Sequence, residues 1–293
     1  IKVGIKKKII LKKMDVQKLS EIKKVFKNFK INEVYNLASQ SYVDRSFKNP
    51  LRTANINAIG VLRILEIIRK HKNQIKYYQA SSSEMFGNSK SSKQSETTKF
   101  DPQSPYAISK LFGHFITRNY RDSYNIFAVS GILFNHESPL RDNRFVTSKV
   151  IKGLIDIKNK RINKIILGNI NIKRDWGYSK EYVVQMWKMM QAKKPRDYII
   201  ATGKTHSIKQ LINIVAKELK MKTKWIGKKS NLKLINKINN NVIISTDKRY
   251  YRPSDVNSTK GNISKARRDL GWKPKTTFKE LIKILIKDKI KNL

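Results

Sequence analysis

A tyrosine and a lysine lie four residues apart in the segment Ser104-Pro105-Tyr106-Ala107-Ile108-Ser109-Lys110. Ser104 can cap a helix whose first position is Pro105, and the spacing then places both side chains on one helix face. An ammonium group beside a phenol favours the phenolate. We therefore expect the pKa of Tyr106 to fall from its ordinary value of about 10, so that the phenol acts as an acid or base near neutral pH.

The Tyr-Lys spacing needs a context, because about two such pairs arise by chance in a chain this rich in tyrosine and lysine. Ser82 and Glu84 supply that context, since both lie at the end of a predicted strand. A hydroxyl, a carboxylate and a phenol in one cleft give a hydrogen-bond relay, a proton acceptor and a second acid or base. The alternative is that Glu84 is a solvated carboxylate at a helix start.

Strand-like apolar runs alternate with helical patterns along most of the chain, which predicts an α/β fold with a doubly wound parallel sheet. The predicted strands are Ile9–Leu11, Glu33–Ala38, Lys76–Ser81, Phe127–Phe134, Ile165–Leu167 and Tyr198–Ala201. The predicted helices are Val16–Asn28, Leu51–Lys70, Pro105–Tyr120, Phe145–Ile157, Tyr182–Gln191, Ile208–Leu219 and Phe278–Ile290. Beyond about Lys204 the strand pattern fades into helices and a polar stretch near Lys228–Asn241, which we interpret as a smaller substrate-facing region.

Polar segments follow several predicted strands, where ligands of a doubly wound sheet bind. These segments are Asn36–Ser41, Ala80–Glu84, Asn135–Pro139 and Thr202–Gly203. A glycine-rich phosphate-binding turn is not found, since Gly4 stands alone and no G-x-x-G-x-x-G occurs. Because the sequence also starts at Ile1 rather than Met, we expect the first β-α unit, on the order of 30 residues, to be missing.

The chain carries 64 Lys and Arg against 21 Asp and Glu, a formal net charge of +43. Such a charge raises the possibility of nucleic-acid binding. The lysines are scattered, however, and the runs Lys6–Lys8, Lys228–Lys229 and Lys287–Lys291 are short and not interleaved with aromatic residues. We therefore expect no nucleic-acid partner. The absence of cysteine excludes disulfides and thiolate sites, and the lack of a long apolar run or signal peptide predicts a cytoplasmic protein without a membrane partner.

Several segments together resemble the GDP-mannose 4,6-dehydratase family of extended short-chain dehydrogenases/reductases, and they recur in family order across nearly the whole chain. The segments are Ala80–Gly87, Ser104–Lys110, Gly131–Pro139, Arg174–Gly177 and Tyr250–Pro253. The resemblance implies a Rossmann-like NADP-binding domain over residues 1–134 plus 169–206, without its first β-α unit. Residues 135–168 plus 207–293 would form the nucleotide-sugar-binding region.

The resemblance also implies roles for individual residues. Ser82, Glu84 and Tyr106 match the catalytic positions, and Lys110 matches the residue that positions the cofactor and tunes Tyr106. Ser82 stands where many relatives have Thr, and Arg52 where relatives often have Tyr. The implied cofactor contacts are Asp15, Val16, Leu37, Ala38, Ser39, Gln40, Ser41, Arg52, Lys110, His136 and Arg141. The implied substrate contacts are Asn135, Lys149, Arg174, Arg252 and Asp255, with no metal.

The activity implied by the resemblance is an internal redox elimination. NADP would accept and return a hydride while GDP-mannose loses water to become GDP-4-dehydro-6-deoxymannose, a deoxysugar precursor. A homodimer or homotetramer is implied as well. The alternatives are a dTDP-glucose dehydratase, which usually has Asp where this chain has Ser83, and a 4-epimerase, which needs no base such as Glu84 for carbon 5. A non-catalytic basic Rossmann-like protein is an alternative of another class.

Overall fold

The computed structural model describes residues 8–71, 74–228, 231–251, 254 and 256–292 of the chain. Its strands are β1 Glu33–Asn36, β2 Lys76–Ser82, β3 Ala128–Leu133, β4 Asn135–Glu137, β5 Ile165–Leu167, β6 Lys173–Arg174, β7 Trp176–Tyr178, β8 Tyr198–Ile200, β9 His206–Ser207, β10 Thr223–Ile226, β11 Lys233–Asn236 and β12 Val242–Thr246. Its α-helices are α1 Leu19–Asn28, α2 Val43–Lys48, α3 Pro50–Ala54, α4 Gly60–Arg69, α5 Pro105–Tyr124, α6 Val146–Lys158, α7 Ser179–Met190, α8 Ile208–Glu218, α9 Ser264–Leu270 and α10 Phe278–Lys291.

The first sheet is parallel, with the described strands in the order β1-β2-β3-β8. Successive side chains of a strand point to opposite faces, and Tyr77 and Tyr78 of β2 accordingly lie in two different cores. Tyr77 packs with residues of α1 and α4, whereas Tyr78 packs with residues of α7 and α9. Helices therefore cover both faces of the sheet, and the predicted doubly wound α/β fold is confirmed.

A second sheet lies in the later part of the chain, with the strand order β10-β11-β12-β5. Its core is shared with α6, α8 and α10. Our prediction that the strand pattern fades beyond Lys204 is wrong, because β10, β11 and β12 form an antiparallel meander there. The alternation buries Leu234 and Ile244 and leaves most of the Lys and Asn side chains on the outer side. Because the segment is polar on average, its sequence did not show a strand pattern.

Short ladders connect the two sheets. Strand β4 follows β3 directly and pairs in parallel with β7, with Asn135 opposite Trp176 and His136 opposite Gly177. Strand β6 pairs with β9 in the antiparallel sense. The first ladder places the residues that follow β3 beside those that precede α7, and the second places β6 beside the residues that precede α8.

Two further predictions about local structure need correction. Ile9, Ile10 and Leu11 are 40%, 73% and 62% exposed and form no strand, because three apolar residues without a paired neighbour among the described strands gain neither a ladder nor burial. The single helix predicted for Leu51–Lys70 is instead α3 and α4 joined by a π-helix, Asn55–Ile59. In the described part of the chain, no helix has the length and apolar character needed to cross a membrane.

Helix α5 is fixed to the sheet by a bidentate ion pair. Arg121 donates to both carboxylate oxygens of Asp197 at 2.8 and 3.1 Å, and also to the Ala128 carbonyl at 3.1 Å. Asp197 accepts a further bond from the Ser130 backbone at 3.1 Å. Burial alone would raise the pKa of Asp197, but the hydrogen bonds and charge of Arg121 hold that pKa below its ordinary value.

We expect Asp197→Ala to lower the free energy of unfolding by about 3 kcal/mol, because it leaves the Arg121 cation largely buried and unpaired. Chemical denaturation would measure this loss. The exposed pair of Arg118 and Asp122 offers a control, since Arg118→Met should change stability little. Because the pKa of Asp197 is depressed on folding, its contribution is present at neutral pH and is lost as the pH falls below about 4. Equal losses for both variants would contradict this role for Asp197.

Candidate active site

The carboxyl end of β2 presents a hydroxyl and a carboxylate. Ser82 is the last residue of β2, and its Oγ accepts a hydrogen bond of 3.2 Å from the backbone N–H of Glu84. This bond caps the 3₁₀-helix Ser83–Phe86 and fixes where the Glu84 side chain starts. The Glu84 carboxylate lies 3.9 Å from Nε of Arg174, which is itself almost fully buried.

The first turn of α5 brings the predicted pair against this strand end. Ser104 accepts a bond of 3.1 Å from the Ala107 N–H, so the predicted cap ahead of Pro105 is confirmed. Tyr106 and Lys110 are both buried, and the Tyr106 phenol lies near the Ser82 hydroxyl. Lys110 Nζ donates to the Ala80 carbonyl at 2.9 Å. Two side chains of one helix face therefore reach the last three residues of β2.

The predicted lowering of the Tyr106 pKa by Lys110 is wrong for this structure. Burial is the main cause that raises the pKa of Tyr106 to about 12; the Glu84 charge acts in the same direction, whereas the Ser82 hydroxyl and the Arg141 charge act against it. Burial also lowers the pKa of Lys110 to about 8. The ammonium group is bound to a backbone carbonyl and lies 6.0 Å from the centre of the Tyr106 ring, so desolvation outweighs its attraction for the phenolate.

The loop after β1 contains the predicted cofactor contacts Leu37 to Ser41, and a residue that sequence reasoning missed organises it. Asn57 Oδ1 accepts from the Gln40 N–H at 2.8 Å and from the Ser39 hydroxyl at 3.1 Å. Its Nδ2 donates to the Gln40 carbonyl at 3.1 Å and to the Ser109 hydroxyl at 3.2 Å. Asn57 lies in the π-helix, a feature that often marks functional sites but has no recognisable sequence pattern.

Asp15, Val16 and Arg52, predicted to contact the cofactor, lie near one another. Val16 is buried and packs against the position of Gly60, where an added Cβ would be 3.1 Å from Val16 Cγ2. The carboxylate of Asp15 accepts from the Gln17 N–H at 2.9 Å, and this bond is the largest of the effects that lower the pKa of Asp15. Arg52 is exposed, and its charge also reaches Asp15.

His136 and Arg141 lie in the part of the chain that follows β3. The His136 Nδ1–H donates to the Phe134 carbonyl at 2.9 Å, and the ring stacks on Tyr182 with 4.8 Å between centroids. Burial lowers the pKa of His136 to about 4, so the ring is neutral at physiological pH and its Nε2 is left as an acceptor. Arg141 pairs with the buried Glu137 at 3.2 Å.

The described members of the predicted substrate contacts lie in the short ladders and in α6. Arg174 Nη1 donates to the Val256 carbonyl at 2.7 Å, and Asn135 begins β4 beside Trp176. Lys149 Nζ donates to the Ile166 carbonyl at 2.9 Å and lies 5.6 Å from the centre of the Tyr250 ring. Arg252 and Asp255 lie outside the described residues.

An aromatic stack joins the loop after β1 to the loop before α6. The rings of Tyr42 and Phe145 stack with 4.9 Å between centroids. Three guanidinium groups cover this pair: Arg45 and Arg144 lie over the Tyr42 ring and Arg141 lies 3.5 Å from the centre of the Phe145 ring. Sequence reasoning missed this stack, because the rings are separated along the chain and neither belongs to a motif.

The arrangement contains the groups required to move protons at a carbon framework. The Tyr106 phenol and the Ser82 hydroxyl lie near each other, and the Glu84 carboxylate lies two residues from Ser82 in the chain. A phenolate can take a proton from an alcohol, and a nearby carboxylate can take one from carbon. Within the described residues, no group of three or more His, Asp or Glu side chains is placed to hold a metal ion.

Comparison with known proteins relates this site to one family. The family model described as GDP-mannose 4,6 dehydratase matches residues 2–285. GDP-mannose 4,6 dehydratase 1 of Arabidopsis thaliana is 44% identical over 276 residues, covering 93% of this chain and 72% of the relative. GDP-mannose 4,6-dehydratase of Vibrio cholerae is 39% identical over 284 residues, covering 93% and 76%.

The solved structure of RMD from Pseudomonas aeruginosa complexed with NADPH superposes with a TM-score of 0.82 at 19% identity, covering 97% of this chain and 90% of that one. At this identity the likeness concerns the fold. The family model and the two relatives carry the assignment, since each covers nine-tenths or more of this chain. The chain belongs to the GDP-mannose 4,6-dehydratase family.

Proposed function

We propose that the protein dehydrates GDP-mannose to GDP-4-dehydro-6-deoxymannose, a precursor of deoxysugars. The observation that carries this proposal is the convergence of Ser82, Glu84 and Tyr106 at the carboxyl end of β2 in a member of this family. The overall reaction oxidises carbon 4 to a ketone, reduces carbon 6 to a methyl group and releases one water, so no external oxidant is consumed. A 4-epimerase would not need a carboxylate at position 84.

The chain's own residues move the protons. Tyr106 in its phenolate form, beside the Ser82 hydroxyl, takes the proton of the sugar 4-hydroxyl. A ketone at carbon 4 makes the proton on carbon 5 acidic, and Glu84 takes that proton. Glu84 then gives it to the hydroxyl of carbon 6, which leaves as water, and Tyr106 returns its proton to carbon 5 as carbon 6 is reduced. A bound nicotinamide cofactor supplies the hydride acceptor and donor for this chemistry.

The residues of the cleft fit such a cofactor. Lys110 Nζ lies 6.0 Å from the centre of the Tyr106 ring, and neutral His136 lies in β4. Asn57 holds the loop from Leu37 to Ser41 in place, and Asp15 and Arg52 lie near one another. We place the cofactor on residues 1–134 plus 169–206 and the nucleotide sugar on residues 135–168 plus 207–293. The exposed guanidinium of Arg52 is suited to a phosphate on the adenine ribose, which favours NADP over NAD.

The sugar nucleotide is anionic, and the second region offers cations to it. Nε of Arg174 lies 3.9 Å from the Glu84 carboxylate, and Lys149 lies beside the Tyr250 ring. A guanidinium suits the oxygens of a pyrophosphate, and an aromatic ring beside a lysine suits a base or sugar face. Asn135 lies between Tyr106 and these groups along the sequence. We assign Asn135, Arg252 and Asp255 to the same substrate.

We propose that a second copy of the chain covers the outer face of α5, giving a homodimer or homotetramer. Ile108, Phe112 and Phe115 are 57%, 39% and 47% exposed and form one apolar stripe on that face. Burying such a stripe against its own copy satisfies the self-complementarity of a two-fold interface. The same helix carries Tyr106 and Lys110 on its inner side, so association would stabilise the site's scaffold.

We expect Phe112→Asp to weaken association and to shift the protein towards a smaller species in size-exclusion chromatography with light scattering. The reason is that a charge replaces the centre of the apolar stripe. Arg118→Asp, on an exposed part of the same helix, is the control and should leave the mass unchanged. A wild-type protein that is monomeric at all concentrations would contradict the dimer.

We expect Glu84→Gln to lower the rate of GDP-mannose dehydration by about 10²-fold or more, because a neutral amide cannot accept the carbon 5 proton. The protein is incubated with NADP and GDP-mannose, dTDP-glucose or UDP-glucose. Mass spectrometry follows the loss of water from each sugar nucleotide. Glu218→Gln, at an exposed ion pair with Lys283, is the matched control and should keep full activity.

The same experiment separates the alternatives. Dehydration of dTDP-glucose but not GDP-mannose would contradict the proposed substrate. Formation of an isomer of unchanged mass, separated from its substrate by chromatography, would contradict the proposed reaction. If none of the sugar nucleotides is turned over, the proposed activity is contradicted.

We expect Arg52→Ala to weaken NADP binding about tenfold and to leave NAD binding within twofold, because only NADP presents a phosphate that needs a cation. Isothermal titration calorimetry with each cofactor would measure both affinities. Lys48→Ala, an exposed cation of the preceding helix, is the control. Equal weakening for NAD and NADP would contradict the assignment of Arg52 to that phosphate.

A further inference from the structure

Three side chains of α5, spaced four residues apart, each lie against one of three consecutive residues of β2. Lys110 Nζ donates to the Ala80 carbonyl at 2.9 Å, and the Tyr106 phenol lies near the Ser82 hydroxyl. Between these two, the Ser81 hydroxyl lies 3.1 Å from Nδ1 of His114. Two of the three contacts belong to the catalytic machinery, and the third has no role in the chemistry described above.

The His114 ring is enclosed by protein. The side chain is 5% exposed and packs edge-on against the rings of Phe100 and Phe115, with centroid distances of 5.5 and 5.7 Å. Burial lowers the pKa of His114, so the ring is neutral at physiological pH and carries a single N–H. The imidazole is too far into the fold to touch a substrate, but it is hydrogen-bonded to the residue next to Ser82.

We propose that His114 is a positioning residue for the Ser82–Tyr106 pair and acts through its hydrogen bond to Ser81. Ser81 is joined by one peptide unit to the carbonyl that binds Lys110 and by the next to the hydroxyl that binds Tyr106. Fixing the Ser81 side chain therefore fixes the orientation of both peptide units. A proton transfer depends on hydrogen-bond geometry within a few tenths of an ångström, so a small rotation of Ser82 weakens it.

Filling space is the competing role for a buried histidine. An apolar ring would fill the same space between Phe100 and Phe115 without burying a polar pair. The two roles make different predictions for His114→Phe, which keeps an aromatic ring and removes the hydrogen bond. If His114 only fills space, this change alters stability alone. If it positions Ser82, it also alters the Tyr106 chemistry.

This inference rests on the proposed dehydration of GDP-mannose. We expect His114→Phe to lower kcat about tenfold while the KM for GDP-mannose stays within twofold, because the substrate contacts are untouched. The Ser82 hydroxyl lowers the pKa of Tyr106 against the effects of burial and Glu84, and Arg141 assists it. Moving that hydroxyl away from the phenol should therefore move the rising limb of the kcat/KM profile to higher pH.

Matched variants make the experiment decisive. His114→Asn retains a hydrogen-bonding group near the Nδ1 position and should recover part of kcat. Ser81→Ala should resemble His114→Phe, and the double variant should be no worse than either single variant, because all three remove one interaction. Thr117→Val is the control, since Thr117 is buried on the same helix and donates to the Gly113 carbonyl at 2.7 Å, away from β2.

The Thr117 variant should lose thermal stability and keep the wild-type kcat and pH profile. A His114→Phe protein that behaves like it, with a lower melting temperature but unchanged kcat and pH profile, would overturn the positioning role. Wild-type protein is measured in the same assay. Its failure to turn over GDP-mannose would overturn the proposed function, whereas normal wild-type turnover with an unchanged His114→Phe profile would overturn this inference alone.

Discussion

The contact between the first turn of α5 and the carboxyl end of β2 is the constraint on which the site depends. Strand β2 is held between parallel neighbours on both sides, and α5 is fixed at its start by the Ser104 cap and near its end by the ion pair of Arg121 and Asp197. Both partners are regular elements, so the catalytic groups lie on a rigid scaffold rather than on loops. The relative placement of helix and strand then determines the distance between Tyr106 and Ser82.

Burial governs the electrostatics of this contact. The same desolvation that favours a neutral Tyr106 also favours a neutral Lys110 and a neutral His136. Charges near the cleft act on this background: Arg141 stabilises a phenolate at Tyr106 and Glu84 opposes it. The reactivity of the phenol is therefore set by a balance between burial and neighbouring charges and not by the Tyr-Lys spacing alone.

The sequence allowed prediction of features that depend on local pattern. The cap of α5, the strand before Ser82 and the alternation that produces a doubly wound sheet are all encoded within short segments, and each is confirmed. Contacts between distant residues could not be read in this way. The bond between Asn57 and Ser109 spans 52 residues and that between Ser81 and His114 spans 33, so only the folded chain reveals them. The meander β10 to β12 was missed because its buried positions are few and its lysines many.

The stack of Tyr42 on Phe145 joins two loops that arise from different parts of the fold. Predicted cofactor contacts lie beside both rings, since Ser41 precedes Tyr42 and the Arg141 guanidinium lies 3.5 Å from the centre of the Phe145 ring, so the stack would oppose separation of the two loops around a bound cofactor. An enzyme that regenerates its cofactor in every cycle loses nothing by slow exchange, because release is not part of turnover. The stack therefore suits a cofactor that stays as a resident prosthetic group and would be carried with the protein through purification.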